Sequence, residues 1–200
     1  MAKTPRAKKQ KPAAPNEQLY ISFLADINTV TASALMGTIG QHMNQNRDTF
    51  RELHLLLSTM GGQVAVGISL YNMLMGLPVK VITHNTGTVN SIGNVVFLAG
   101  AERYAAKISS FMFHGVGFDI QNQRFEEKML VERLNSLKND QNLIADIIIQ
   151  RTKIRSNEVK DLFLQAGFLR ANEAKARGII DDIRQVKVPK GAPFVQLVFK

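Results

Sequence analysis

The stretch VKVITHNTGTVNSIGNVVFLAG (79–100) joins two apolar runs, VKVIT (79–83) and Val95 to Ala99, through a polar segment carrying Gly87, Thr88, Asn90, Ser91 and Gly93. A continuous apolar run bounded by glycine-rich punctuation reads as a buried strand, and the second run reads as a helix to about Ala101. Ser91 then falls at the first turn of that helix. There it can serve as a cap. It can also stand as a nucleophile, over the positive end of the helix dipole and beside the Ile92 N–H. The hydrolase pattern GxSxG is not met, because Val89 lies two residues before the serine.

Working outward, LYISFLA (19–25) and LHLLLS (53–58) read as strands, the second buried on both faces. Asn28 and Thr29 look like the cap of a helix to about Asn44, with Val30, Leu35, Ile39 and Met43 on one face. TMGGQ (59–63) is a turn, after which Val64, Ile68, Tyr71 and Met75 repeat at helical spacing and Pro78 follows the helix end. SSFMFH (109–114) is a further strand. Residues 123–151 form a long charged helix with Phe125, Met129, Leu134, Leu137 and Leu143 as apolar positions. Shorter helices follow near 156–165 and 171–177. Gly178 ends the last of these, and IIDDI (179–183) returns to strand. The alternation predicts an α/β fold with a mainly parallel sheet. GAPFVQLVFK (191–200) alternates as an edge strand, or as a segment that docks on a neighbouring subunit.

With 200 residues and no cysteine, the chain reads as one domain without disulfides or thiolate chemistry, which fits a cytoplasmic protein. No window is apolar enough for a membrane span, and the N-terminus lacks the apolar core of a secretory signal. Of the net charge of +9, five units come from Lys3, Arg6, Lys8, Lys9 and Lys11. Residues 1–17 therefore read as a disordered basic tail, solubilising or able to meet nucleic acid, with the domain at 18–185 and an extension at 186–200.

Chemistry in such folds gathers where strands end and helices begin. TMGGQV lets backbone approach a ligand closely, but after Gly62 to Gly67 Ile68 stands where a phosphate loop would need lysine. His114 ends an apolar strand beside Gly115 and Gly117, and no histidine pair has metal-ligand spacing. Neither metal nor cofactor is expected.

Four segments together resemble the ClpP-type serine peptidases, whose fold is crotonase-like. LLLSTMGGQVAVGISLYNMLMGL resembles their INSPGGSV strand–turn–helix. GTVNSIGNVVFLAGAERY resembles their nucleophile segment GxAASMGxxLLxAG, and FMFHGVG their MIHQP segment. GFLRANEAKARGIIDDI resembles their FLSAxEAxxYGLID ending. Their order, and nearly their spacing, is kept over about residues 18–185. The resemblance implies repeated ββα units with a long handle helix, Ser91 as nucleophile and His114 as general base. It implies an oxyanion hole from the N–H groups of Gly62 and Ile92. It also implies unfolded peptides as substrate, a homo-oligomeric ring (a heptamer, or two stacked rings) and a separate AAA+ unfoldase as partner.

The chain departs from that pattern. The family's third catalytic residue, an aspartate, falls at Ala166 of QAGFLRA, which leaves a dyad. The prolines of SPGG and of HQP are missing, and Asn90 stands where the family has a small residue. Two alternatives follow: a catalytically impaired scaffold or regulatory subunit, and a crotonase-like enzyme acting on coenzyme A esters.

Overall fold

The computed structural model describes residues 13–117 and 124–199. Its order is β1 (Gln18–Leu24), α1 (Thr29–Gln45), β2 (Glu52–Thr59), α2 (Val64–Met75), β3 (Lys80–Asn90), α3 (Gly93–Phe97), β4 (Glu102–Ala105), β5 (Ser110–Met112), α4 (Glu127–Arg151), α5 (Ser156–Gln165), β6 (Phe168–Arg170), α6 (Ala171–Ala176), β7 (Asp182–Ile183) and β8 (Phe194–Gln196). One sheet runs β6-β5-β3-β2-β1-β8, and β4 pairs with both β3 and β7. Every pairing is parallel except β5 with β6. This is the α/β fold with a mainly parallel sheet that the alternation of strands and helices predicts.

The core lies on one face of the sheet. Leu53, Leu55 and Leu57 of β2 alternate inward and meet Leu35 and Ile39 of α1 with Leu70 and Leu74 of α2. Asn28 caps α1 as expected, its side chain accepting from Val30 and Thr31. Val30 itself is exposed, and Thr31 takes the buried place beneath it. Residues Phe194–Gln196 form the expected edge strand, on β1, and Phe199 packs edge-on against Phe23.

Several expectations need correcting. Residues 84–90 are strand, not turn, and α3 stops at Phe97 rather than Ala101. Buried polar groups explain the longer strand, because each finds a partner in a neighbouring element. Thr83 Oγ1 donates to the Phe97 carbonyl (2.8 Å), Asn85 Nδ2 to the Ser110 carbonyl (2.8 Å), and His84 meets His54. The register of β3 against β2 shifts between Leu57 and Thr59, so β3 pairs with β4 over 82–85 and with β5 over 88–90. That irregularity re-aims the end of β3.

The long helix begins, among the described residues, at Glu127, and residue 123 lies outside them. Its expected apolar positions do not enter the core. Met129, Leu134 and Leu143 are exposed, and Ile144 and Ile148 are the buried residues instead. IIDDI is strand only at Asp182–Ile183. Most of the proposed tail lies outside the described residues, but Pro15–Glu17 form a 3-10 turn, and the Glu17 carbonyl accepts from the Arg51 N–H at 2.8 Å.

Candidate active site

Ser91 is the hinge between β3 and α3, and its backbone is left-handed, with φ 56°. A non-glycine residue there is strained unless its surroundings hold it. Here the Ser91 N–H donates to the Met112 carbonyl (2.8 Å), and the Ser91 carbonyl accepts from the Asn94 N–H (3.0 Å). The sharp strand–turn–helix geometry of a nucleophile elbow is thus present without the GxSxG sequence. Ser91 is not a cap. The cap position belongs to Ile92, and Ser91 Oγ makes no hydrogen bond among the described residues. With five residues, α3 offers only a short dipole beneath it.

The glycine turn after β2 lies directly against this hinge. Gly61 and Gly62 have φ of +106° and +143°. The Gly61 carbonyl accepts from the Ile27 N–H (2.7 Å), and the Gln63 N–H donates to the Ile27 carbonyl (2.8 Å). Gly62 therefore turns its own N–H the other way. Among the described residues, neither the Gly62 N–H nor the Ile92 N–H has a protein acceptor.

His114 lies two residues past the end of β5. The flanking N–H groups fix the backbone around it: Phe113 donates to the Gly167 carbonyl (2.9 Å) and Gly115 to the Phe163 carbonyl (3.0 Å). Both acceptors belong to the end of α5 and the residues after it. Ala166 lies between them, left-handed at φ 49°, exposed, and the cap of α5. The His114 side chain is exposed and makes no hydrogen bond among the described residues.

These pieces converge. A cleft of about 110 Å³ is lined by Gly62, Ser91, Ile92 and His114, and by the apolar Val64, Phe113, Ile144, Ile148 and Phe163. Chemically it offers a hydroxyl, an imidazole and two free N–H donors beside an apolar recess. Ala166 does not line it.

Three features have no signature in the sequence. Asn94, 1% exposed, donates from Nδ2 to the Ser91 and Met112 carbonyls (3.0 and 2.8 Å). Gln141 of α4 brings its amide over Gly115, where a β-carbon would stand 3.2 Å from Nε2. Away from the cleft, His54 Nδ1 and His84 Nε2 lie 3.0 Å apart across β2 and β3, so His84 is a buried mid-strand residue rather than a strand end. Burial, with the positive charge of Lys80 helping, pushes His54 down to about 4. Burial, with His54 and Arg184 helping, pushes His84 down to about 3. Residues thirty apart meet here only because their strands are neighbours. Among the described residues, no three His, Asp or Glu gather as a metal site.

Residues 16–187 match the Clp protease family. The chain is 30% identical over 141 residues to the ATP-dependent Clp protease proteolytic subunit of Cyanophora paradoxa, across 70% of this chain and 71% of that protein. Its fold matches a mutant form of ClpP1 from Listeria monocytogenes with a TM-score of 0.73 at 19% identity, covering 84% of this chain and 92% of that one.

Proposed function

This chain belongs to the Clp protease family, and we propose that it is a serine endopeptidase subunit working from a Ser91–His114 dyad. The observation that supports the reading is the cleft itself, which Gly62, Ser91, Ile92 and His114 all line, while the Gly62 and Ile92 N–H groups have no protein acceptor among the described residues.

The mechanism follows from that arrangement. His114 takes the hydroxyl proton as Ser91 Oγ attacks a peptide carbonyl carbon. The carbonyl oxygen becomes an oxyanion and accepts from the Gly62 and Ile92 N–H groups, which need no reorganisation to receive it. Collapse breaks the C–N bond, and His114 returns its proton to the leaving amine. Water then enters by the same route and frees the acid from Ser91. The walls formed by Val64, Ile144, Ile148 and Phe163 favour an apolar side chain before the scissile bond.

Ala166 supplies no carboxylate to hold the imidazole, so the dyad works below the rate of a triad. In a well-studied serine protease, loss of that acid costs about 10⁴ in turnover. The exposed Met129, Leu130, Val131 and Leu134 of α4 form an apolar surface that supports a ring–ring contact between copies of the chain. An AAA+ unfoldase would supply unfolded substrate. No described helix is long and apolar enough to cross a membrane. The cysteine-free composition supports a cytoplasmic location.

A second reading, a scaffold or regulatory subunit, is favoured by one observation: the His114 side chain has no hydrogen-bond partner among the described residues. A crotonase-like activity on coenzyme A esters has no such support. Hydrolysis of fluorogenic peptides by wild type and Ser91→Ala separates the readings. The peptidase reading expects turnover that Ser91→Ala abolishes, and identical traces for the two proteins would refute it.

A further inference from the structure

We infer that Asn94 is a positioning residue, which clamps the nucleophile hinge to the strand carrying the general base. The inference rests on the peptidase reading above. Asn94 is 1% exposed, and its Nδ2 spans two carbonyls on separate elements, Ser91 at the hinge (3.0 Å) and Met112 at the end of β5 (2.8 Å). An amide between two carbonyl oxygens can face them only with its nitrogen, since the oxygen would be repelled. Its Oδ1 is then turned away, and it is buried without a hydrogen-bond partner. A buried acceptor left unpaired costs stability. The chain carries that cost at the one side chain that, among the described residues, hydrogen-bonds both Ser91 and β5.

The two carbonyls do not depend on the Asn94 side chain for satisfaction. Ser91 O also accepts from the Asn94 N–H, and Met112 O from the Ser91 N–H. What the side chain adds is a second cross-link, which fixes the hinge relative to the strand two residues before His114. Ser91 is left-handed and relaxes easily if released, and small displacements of a nucleophile from its base are costly in rate.

Thr83 supplies a matched control. Its Oγ1 donates to the Phe97 carbonyl (2.8 Å) at the other end of α3, it is fully buried, and Phe97 O keeps a second donor in Gly100. Thr83→Val therefore removes a comparable hydrogen bond from α3 without touching the hinge. The experiment compares wild type, Asn94→Leu, Asn94→Ser and Thr83→Val. It measures melting temperature, kcat and KM on one apolar peptide, and the rate of labelling by a fluorophosphonate. Asn94→Leu is expected to lower kcat and the labelling rate about tenfold or more, with KM unchanged. Thr83→Val is expected to stay within about twofold of wild type at a similar loss of stability. Asn94→Ser, whose single hydroxyl donor reaches one carbonyl at most, is expected to fall between, and it stands in for Asn94→Leu if that variant does not fold. Equal rates for the Asn94 variants and Thr83→Val at matched stability would overturn the inference while leaving the peptidase reading intact. A wild-type chain that neither labels nor turns over would overturn both.

Discussion

Gly61 packs closely against Ser91: a β-carbon built on Gly61 would stand 2.7 Å from Ser91 Cβ and 3.3 Å from Ser91 Oγ. The turn after β2 and the hinge after β3 therefore pack as backbone against nucleophile. Gly61→Ala should meet both this contact and its own φ of +106°, and the cheapest relief is to move Ser91. Peptidase activity is expected to fall by at least about 10²-fold, together with a lower melting temperature. Gly37→Ala, in α1 with nothing within 4 Å, should instead stabilise by about 0.5–1 kcal/mol and leave activity unchanged. Thermal melts and rates on the two variants check the pair.

At position 166 the backbone and the chemistry call for different residues. Alanine in the left-handed region is strained by about 1–2 kcal/mol, and glycine is not. Ala166→Gly should raise stability by roughly 0.5–1 kcal/mol without raising turnover. On the proposed dyad reading, Ala166→Asp should raise turnover tenfold or more, as an order of magnitude, by giving the imidazole a carboxylate acceptor. Asp also tolerates the left-handed backbone. An Ala166→Asp variant no faster than wild type would count against position 166 as the place of the missing acid.

On the proposed reading, the recess beside Ser91 sets the side chain accepted before the cleaved bond. Phe163→Ala removes one wall, while its backbone carbonyl still holds the Gly115 N–H. The expected result is a shift of kcat/KM toward phenylalanine over alanine by about tenfold, the scale of a pocket contact of one to a few methylenes. A library of fluorogenic peptides varied at that single position reads it directly.

His54 and His84 make stability depend on pH. Their folded-state values are pushed down to about 4 and about 3, chiefly by burial, whereas unfolded histidines titrate near 6.5. The unfolded chain therefore binds more protons than the folded one as pH falls below 6.5, and stability is lost in that direction. Between pH 7 and 5.5 the pair should cost about 2 kcal/mol. The groups around it are Tyr20 stacked on His54, Tyr104 and Arg184 beside His84, and Glu52, Lys80 and Glu102 at the strand starts. Glu52 is pushed up, mainly by burial, and works in the opposite sense at lower pH. Denaturant titrations at pH 7 and 5.5 should show the loss, and His84→Phe should reduce it by about half.

The order of elements was legible in the sequence wherever apolar residues carried the signal. LHLLLS, the Asn28 cap and the helix after TMGGQ all stand where the pattern places them, because local propensity and burial agree there. The pattern was misleading at residues 84–90. His84, Asn85 and Asn90 are polar and buried, and the partners that make them strand residues lie in β2, β5 and the turn after β2. Those partners are 25–30 residues away in sequence, so no local window contains them. The same reason hides Asn94, whose acceptor in β5 is 18 residues on. On α4 the apolar residues were visible but their destination was not, since a face that is exposed in one chain reads like any amphipathic helix.

The most direct test of the account is covalent labelling of Ser91. Wild type, Ser91→Ala and His114→Ala would be treated with a fluorophosphonate at pH 8, digested, and the modified peptide identified by mass spectrometry. The account predicts a single phosphonylated site at Ser91, absent from Ser91→Ala and formed at least about 10²-fold more slowly in His114→Ala. An unmodified Ser91 in the folded wild-type protein, or labelling equally fast without His114, would contradict it.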